Sequence, residues 1–550
     1  MTMHIKQIDS PNSSVLDEAH VGHIYGALGT IEHGDHGPRT NWRHRLRTFL
    51  AILGPGLIVM VGDNDAGAFG TYAQAGQNYG TALLWTLLLL VPVLYVNQEM
   101  VLRLGAVARV GHARLILERF GKFWGAFSVI DLFLLNALTI ITEFIGISLA
   151  LSYLGVSKPL GVAISAVVVM GAASTGDFRR FERFALALCA GSLLLIPVFV
   201  MVHPPVAELA RDMLIVQLPK EARLNEVVLL IIAIVGTTIA PWQLFFQQSY
   251  VIDKRITPRF IRYERVDLWI GIIVVVIGAA AIMAITSVVF AGRPDAGQFV
   301  DAGAVAAGIE RYAGRLPGVL FALALLDASI IGASAVSLST AYAIGDVMSL
   351  KHSLHRKPAE AKGFYGVYFG LVAVSAGLVL TPGAPLGLLT NAVQTLAGVL
   401  LPSATVFLLL LCNDKAVLGP WVNTRGMNLF TGAVIAVLVM LSAILTASVL
   451  FPEATDETVI LSILGGGGLL TLVAAFASKS LGEKQQRKRK SPARRQTLDA
   501  WRMPPLSELP PVTLSAASRI WMGVLRAYLV IAGGLVFARI IMLAVTPSGS

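Results

Sequence analysis

The chain has 550 residues, of which 55% are hydrophobic and 14% are charged, and its mean hydropathy is +0.71. A soluble protein of this size would carry about 25% charged residues, so the composition excludes an ordinary soluble protein and indicates one that crosses a membrane many times. The net charge of +10 does not indicate nucleic-acid binding, because no basic domain has aromatic residues interleaved with its charges.

The first 40 residues are predicted to be a disordered cytoplasmic tail. No charged-then-apolar signal peptide with a small-residue cleavage site opens the chain. The tail region is rich in histidine, which is typical either of a solvated tail or of an arm that collects metal ions: His20, His23, His33, His36 and, just beyond, His44.

A transmembrane domain is predicted over residues 41–477, because apolar segments long enough to cross ~30 Å of hydrocarbon recur there. The predicted spans lie near residues 48–76, 81–104, 124–153, 159–176, 184–203, 225–252, 266–291, 315–349, 364–380, 385–411, 428–450 and 458–477. A basic cytoplasmic linker is predicted over 478–515, and a further transmembrane or interfacial helix over 516–550. The fold class is therefore all-α integral membrane, with about 12–13 transmembrane helices.

Loop charges predict the orientation of these spans. Basic loops such as FRRFER at 178–183 and KQQRKRKSPARR at 484–495 alternate with neutral, mixed or acidic ones such as FPEATDET at 451–458. Under the positive-inside rule the basic loops and the N-terminus lie in the cytoplasm, and the location is a bacterial-type cytoplasmic membrane. Cys189 and Cys412 lie inside apolar runs, so no disulfide framework is expected.

Two of the spans are interrupted. The first is broken by Gly62-Asp63-Asn64-Asp65-Ala66-Gly67, and the sixth is broken between Gly236 and Pro241. Breaks at matching positions of two five-span halves, 48–203 and 225–411, indicate a LeuT-like transporter with inverted repeats, its substrate site between the breaks and extra spans at 428–477. Two ordinary kinked helices are the alternative, but a kink does not explain two acids.

Asp63 and Asp65 make the first break a candidate cation site. An unpaired carboxylate at the bilayer centre is unfavourable by roughly 2.5–3.5 kcal/mol, so it is retained where a cation approaches it. Carboxylates and the carbonyls freed at a helix break are oxygen ligands, which suit hard ions such as Mg²⁺ and Mn²⁺.

The sequence resembles the Nramp (natural resistance-associated macrophage protein) family of divalent-metal transporters over roughly residues 48–450. The matching segments are GPGLIVMVGDNDAGAFGTYAQAG, QEMVLRLG at 98–105, TEFIGISLAL at 142–151, GTTIAPWQLFFQQS at 236–249, FALALL at 321–326, and NAVQTLAGVLLP with the following CNDKAVLG. The resemblance implies alternating access, a divalent metal ion as the transported substrate with no cofactor, a lipid bilayer as surroundings, and neither nucleic acid nor an obligate protein partner.

The chain departs from the family pattern at the expected site. Asp-Pro-Gly-Asn of the family aligns with Asp65 to Ala68, so the amide ligand is lost at Ala68. Met-Pro-His aligns with Ala240-Pro241-Trp242, which removes a soft thioether ligand. Gln247 replaces the family's second histidine, and the Asp-x-x-Glu of span 3 keeps only Glu143. These changes resemble the Nramp-related magnesium transporter branch, which implies a roomier site and weak or absent proton coupling.

The resemblance also assigns roles to single residues. Asp65 is the expected metal ligand, with an N-cap role as the alternative. Gly62 and Thr237 match positions that offer backbone carbonyls, and Ala240 offers a carbonyl at most and sets the cavity size. Gln394 either approaches the ion or bonds a neighbouring helix.

The other polar candidates have open roles. Asp63 either holds the hydration shell of the ion or acts as a vestibule acid or salt-bridge partner, and Gln243 is a weaker candidate of the same kind. Glu143 either relays protons or stays neutral among apolar neighbours. Asp327 and Asp131 either pair within the bundle or add negative potential to the ion path.

The main expectation is import of Mg²⁺, Mn²⁺ or both with little or no proton coupling. A proton-coupled Mn²⁺/Fe²⁺ importer of the same family is the closest alternative. An organic-solute symporter on the same fold is a second alternative, and a non-transporting metal sensor a third. A membrane-embedded enzyme is disfavoured, because no catalytic motif is found and no histidine lies inside a predicted span, His203 coming closest at the edge of the fifth.

Overall fold

A computed structural model describes residues 14–35, 37–219, 222–383, 386–482, 498, 501–512 and 516–545. The described part of the chain is almost entirely helical. The helices of the first half are α1 (Trp42–Ile52), α2 (Pro55–Val61), α3 (Ala66–Tyr79), α4 (Leu84–Ala108), α5 (His112–Phe120), α6 (Lys122–Tyr153), α7 (Lys158–Ala173), α8 (Phe178–Gly191), α9 (Leu195–Val202) and α10 (Val206–Leu214).

The second half continues the pattern of long apolar helices. Its helices are α11 (Leu224–Thr238), α12 (Pro241–Asp253), α13 (Ile261–Phe290), α14 (Ala302–Ala313), α15 (Arg315–Val347), α16 (Lys362–Leu380), α17 (Leu386–Asn413), α18 (Lys415–Leu418), α19 (Arg425–Leu450), α20 (Glu457–Gly482) and α21 (Ala516–Val545).

All of the predicted spans coincide with helices, but not all of these helices have full membrane length. In the described ranges, nine helices are long and apolar enough to cross a membrane, or ten if the bent pair α1–α2 is one span. Three further apolar segments are shorter: α7, residues 457–473 of α20 and residues 522–535 of α21. The helix α7 has 16 residues. Pro159 lies in its first turn, where proline is favoured, and the helix ends at Ala173.

Both predicted interruptions are present as breaks between helices. The first lies after α2, where the chain leaves the helix from Gly62 to Asp65. A further bend of 50° between α1 and α2, at Leu53 and Gly54, was not predicted. The sixth span is divided at Ile239 and Ala240, between α11 and α12. The long helices α6 and α15 pack along each other in the centre, and α17 packs against α6 and α19. The breaks therefore lie inside the bundle.

Part of the N-terminal tail, predicted to be disordered, is folded instead. Residues 14–35 contain a short helical turn at Glu18–His20 and an antiparallel hairpin of β1 (Ile24–Gly26) and β2 (Gly29–Ile31). Ile24 and Ile31 lie opposite each other and are buried against the helical bundle. Docking of these apolar side chains on existing helices offsets the conformational entropy that would keep an isolated tail disordered.

Candidate metal site

A cavity of about 50 Å³ lies between the two broken spans. It brings together Asp65, Glu143, Thr237 and Ala240, which the sequence placed at or near a metal site. The complete lining is Asp65, Gly67, Leu135, Thr139, Thr142, Glu143, Ala233, Gly236, Thr237, Ala240, Trp242, Thr390, Val393 and Ala397.

Asp65 caps the second half of the first span. It is the N-cap of α3, its Oδ1 accepts a hydrogen bond from the Ala68 N–H at 2.9 Å, and its side chain lines the cavity. A carboxylate has two oxygens and several lone pairs, so the capping interpretation and the ligand interpretation are compatible. The N-terminal end of α3 also favours negative charge at this position.

Glu143 places a second carboxylate beside the first. Its Oε2 accepts a hydrogen bond from the Ala66 N–H at 3.1 Å, while its Oε1 is buried and has no hydrogen-bond partner among the described residues. A Cβ added at Gly332 of α15 would lie 2.7 Å from the carboxyl carbon of Glu143 and 3.0 Å from the Cβ of Asp65. The glycine therefore leaves room for both acids. The small-residue run IIGASA in α15 is the only sequence signal for it.

Each break deprives one backbone carbonyl of its helical donor. The carbonyl of Thr237 would accept from residue 241 in a continuous helix, but Pro241 has no N–H. The carbonyl of Gly62 would accept from Ala66, whose N–H donates to Glu143 instead. Carbonyls at a helix C-terminus that lack an internal partner are available to water or to a ligand. The two positions predicted to offer carbonyls thus have the required local structure.

Two threonines on α6 were not singled out from the sequence. The hydroxyl of Thr139 donates to the Leu135 carbonyl at 2.9 Å, and that of Thr142 donates to the Leu138 carbonyl at 3.2 Å. Both line the cavity, and their oxygens can still accept hydrogen bonds. The signal for Thr139 was its spacing from Glu143, since residues three or four apart share a helix face, and Thr142 lies three residues after Thr139.

Asp63 and Gln243 contact each other outside the cavity lining. The Gln243 amide donates to Asp63 Oδ1, and the Gln98 amide donates to Gln243 Oε1 at 3.0 Å. The other oxygen of Asp63 has no partner in the described part of the chain. The partner of Asp63 is therefore an amide and not a cation, contrary to the salt-bridge alternative.

None of the remaining candidates whose side chains are described lines this cavity. Ala68 is fully buried and contributes its N–H to Asp65. The side chain of Gln394 lies outside the described side chains. Asp327 packs against Gly191 of α8, where an added Cβ would overlap its carboxylate. Asp131 accepts a hydrogen bond from Ser403 at 3.2 Å and lines a separate, small cavity of about 10 Å³.

Among the described residues, side chains alone do not form a complete set of metal ligands. Within the described ranges, no group of three His, Cys, Asp or Glu side chains is arranged to hold a metal ion. A cation between the two breaks would therefore use the Asp65 and Glu143 carboxylates, the freed carbonyls and water. This oxygen-only set suits hard cations.

Comparison with known proteins gives consistent matches. A family model described as "Natural resistance-associated macrophage protein-like" matches residues 56–448. The divalent metal cation transporter MntH of Ralstonia nicotianae is 28% identical over 402 residues, 70% of this chain and 87% of the relative. MntH of Deinococcus radiodurans is 27% identical over 443 residues, 76% of this chain and 93% of the relative.

The solved structures agree with this at the level of fold. A crystal structure of the Eremococcus coleocola manganese transporter, in complex with an aromatic bis-isothiourea substituted compound, has a TM-score of 0.62 at 20% identity. The match covers 82% of this chain and 96% of that chain.

Proposed function

The chain belongs to the Nramp family of divalent-metal transporters, and from this premise we propose that it imports Mg²⁺, and Mn²⁺ to a lesser extent, with little or no proton coupling. Family members are integral membrane transporters and its MntH relatives are bacterial. The proposal concerns the ion and the coupling, and the observation that carries it is the chemistry of the cavity lining.

The lining offers oxygen ligands only. None of the described lining residues is Met, Cys or His, and Ala240 stands where the resemblance expects a thioether. Thioether and imidazole favour transition metals, whereas carboxylate, carbonyl and water oxygens suit Mg²⁺ as well as Mn²⁺. A site without a soft ligand lacks the main chemical feature that would favour transition metals over Mg²⁺.

The size of the cavity supports the same ion. Mg²⁺ sheds its hydration shell reluctantly and is usually held by one or two carboxylates with several waters retained. A cavity of about 50 Å³ has room for a few water-sized molecules, and so for an ion that keeps part of its water shell. The hydroxyls of Thr139 and Thr142 can accept hydrogen bonds from those waters, while Asp65 and Glu143 balance the two positive charges.

Transport then follows from movement about the two breaks. Alternating access in this fold is largely a rocking or gating of one repeat against the other around a fixed midplane site. A membrane potential supplies about 2.3 kcal/mol per charge per 100 mV, and so about 4.6 kcal/mol for a divalent ion. That driving force is sufficient for uptake without protons.

One observation favours a second candidate, a proton-coupled Mn²⁺/Fe²⁺ importer. The Oε1 atom of Glu143 is buried beside Asp65 without a partner among the described residues, which is a suitable position for a transported proton. Against this candidate, His and Met are missing from the described lining. An organic-solute symporter is less compatible, because two carboxylates would repel a substrate carboxylate.

Uptake into proteoliposomes that contain an ion-sensing dye and a pH dye tests the proposal. Wild type is compared with Asp65→Ala and with Asp295→Ala, a matched substitution in the loop after α13. We expect Mg²⁺ entry that is lost only in Asp65→Ala, with no acidification of the lumen. Mn²⁺ entry with proton influx and no response to Mg²⁺ would assign the chain to the proton-coupled branch.

A further inference from the structure

The folded part of the N-terminal tail covers one end of the bundle. We call residues 14–35 the strap and this end the tail face, where α1 and α12 both end. Asp17 of the strap accepts a hydrogen bond from Arg356 at 2.6 Å and from the backbone N–H of His352 at 2.9 Å. Ser14 donates to the Ala108 carbonyl at 2.8 Å. The strap is therefore attached to the loop after α15 and to the end of α4.

Three consecutive residues at the end of α12 organise this face. Arg255 donates to the backbone carbonyls of Ala19, at 2.7 and 2.9 Å, and of His23, at 2.8 Å, both in the strap. The Asp253 carboxylate lies 3.6 Å from Nε2 of His20. Two of the three residues thus bind the inner half of the sixth span directly to the strap.

The third residue, Lys254, binds α1. Its ammonium donates to the carbonyls of Ile52 at 2.6 Å and Leu53 at 2.8 Å, and to Glu182 Oε1 of α8 at 2.7 Å. The other Glu182 oxygen accepts a hydrogen bond from the Ala27 N–H of the strap at 2.6 Å. Lys254 and Glu182 are fully buried. One buried ion pair therefore links α1, α8, α12 and the strap.

The hairpin also packs on α1 without a gap. A Cβ added at Gly26 would lie 1.9 Å from the Ala51 carbonyl oxygen, and one added at Gly29 would lie 3.1 Å from the Ala51 Cβ. By contrast, a Cβ at Gly34 would meet nothing within 4 Å. The backbone of the hairpin thus touches α1 directly, on the side of the helix where Ala51 lies.

We propose that the strap is a conformational lock that holds the tail-face gate shut, so that release of the strap sets how often the transport site opens on that side. The proposal rests on the proposed function, because the elements that the strap joins are the inner halves of the two broken spans, α1–α2 and α12. In alternating access these halves separate from the scaffold when the site opens. By the positive-inside pattern this face is the cytoplasmic one, so the lock acts on release of the ion into the cell.

A reversible disulfide tests the lock directly. In Gly29→Cys/Ala51→Cys the two Cβ atoms start 3.1 Å apart, within a few tenths of an ångström of disulfide geometry. The native Cys189 and Cys412 are buried. Oxidation of the double variant should reduce uptake about tenfold or more, with recovery on reduction, while both single variants stay unaffected. Equal uptake in the oxidised and reduced forms would overturn the proposal.

A release variant tests the opposite direction. Gly26→Val should push the hairpin away from α1, and Gly34→Val is its matched control. A probe cysteine at Ile31, which is 5% exposed, should react with a maleimide about tenfold faster in Gly26→Val, a typical effect of one destabilising substitution. Uptake should rise in the same variant and not in the control. Faster labelling without faster uptake would mean that the strap does not limit transport.

These outcomes are distinct from failure of the proposed function. If the reduced double variant and wild type transport neither Mg²⁺ nor Mn²⁺, the proposed function is wrong. The lock is then judged by labelling of a second probe, Thr237→Cys in the cavity, from the tail face. A probe that reacts at the same rate with the strap oxidised or reduced would contradict the lock on its own.

Discussion

Acidification should release the strap through His20. This side chain is 3% exposed, and burial lowers its pKa from 6.5 to about 4. The groups that face it are Asp253 from α12, His352 from the loop after α15, Asp17 from the strap itself and Asp346 from α15. The three carboxylates favour protonation of His20, but burial and His352 together outweigh them.

The direction and the size of the pH effect on docking follow from the pKa of His20 in the docked and in the released strap. A released strap exposes His20, whose pKa then returns to 6.5, so the released form binds more protons between pH 6.5 and 4. The contribution of a neutral His20 to docking is complete above pH 6.5 and is lost as the pH falls towards 4. Between pH 7.5 and pH 5.5 the loss is about 1.3 kcal/mol, or roughly tenfold in the ratio of docked to released strap.

Asp17 acts in the same direction but over a lower range of pH. Burial alone would raise its pKa, but the hydrogen bonds from Arg356, Ala19 and His352 hold the pKa well below its usual value. Its contribution to docking is therefore present above about pH 4 and is lost only below that pH. Asp17 therefore does not contribute to a step between pH 6.5 and 5.

Maleimide labelling of Ile31→Cys across pH 5 to 8 measures the step. The rate is divided by that of Gly34→Cys, an exposed site on the same tail, which removes the pH dependence of the thiol itself. In His20→Gln the amide can still donate to the His352 carbonyl, which His20 Nε2 contacts at 3.0 Å, but it does not titrate. A pH step of the same size in His20→Gln would refute the reasoning, as would a flat profile in wild type.

Three further predictions concern the site and its support. Gly332→Ala should place a methyl group against Glu143 and weaken metal binding about tenfold, since overpacking typically costs about 1–3 kcal/mol; calorimetric titration with Mn²⁺ measures it. Lys254→Met should leave Glu182 buried without its cation, a loss of about 3–5 kcal/mol that lowers the unfolding temperature, and adding Glu182→Gln should recover most of it. Ala240→Met should add a soft ligand and shift competition uptake from Mg²⁺ towards Mn²⁺ and Cd²⁺.

For each of these three predictions, one result would contradict the reasoning. Unchanged Mn²⁺ affinity in Gly332→Ala would mean that the two carboxylates do not need their present spacing. An additive loss of stability in the double variant would mean that the buried pair is not coupled. Unchanged ion competition in Ala240→Met would place the transported ion away from this part of the cavity.

The helices and the two breaks could be predicted because they depend on local physics. Long apolar runs determine the spans, and the breaks follow from Pro241 and from the glycines and acids after Val61. The family resemblance predicted that Asp65, Thr237 and Glu143 would lie at the metal site or along the ion pathway. What could not be predicted were contacts between distant segments, such as Gly332 beside Glu143.

The strap shows why the rest was inaccessible to sequence reasoning. Its composition resembles a disordered tail, and its histidines suggested either solvated side chains or a metal-collecting arm. Its folding depends on Ala51, Glu182 and Arg255, which lie in three separate helical regions of the chain. A short polar segment whose partners are all remote carries no local pattern that would reveal them.

The position of the strap in the chain also affects how the protein is made. Asp17 lies 339 residues before its partner Arg356, and synthesis at about 5–20 residues per second separates the two by roughly 20 to 70 s. The strap can therefore complete its contacts only after the eighth predicted span has been synthesised. A fully docked strap in the cell would report that synthesis has passed the eighth predicted span, and an N-terminal fluorescent tag that becomes protected late in translation would reveal that moment.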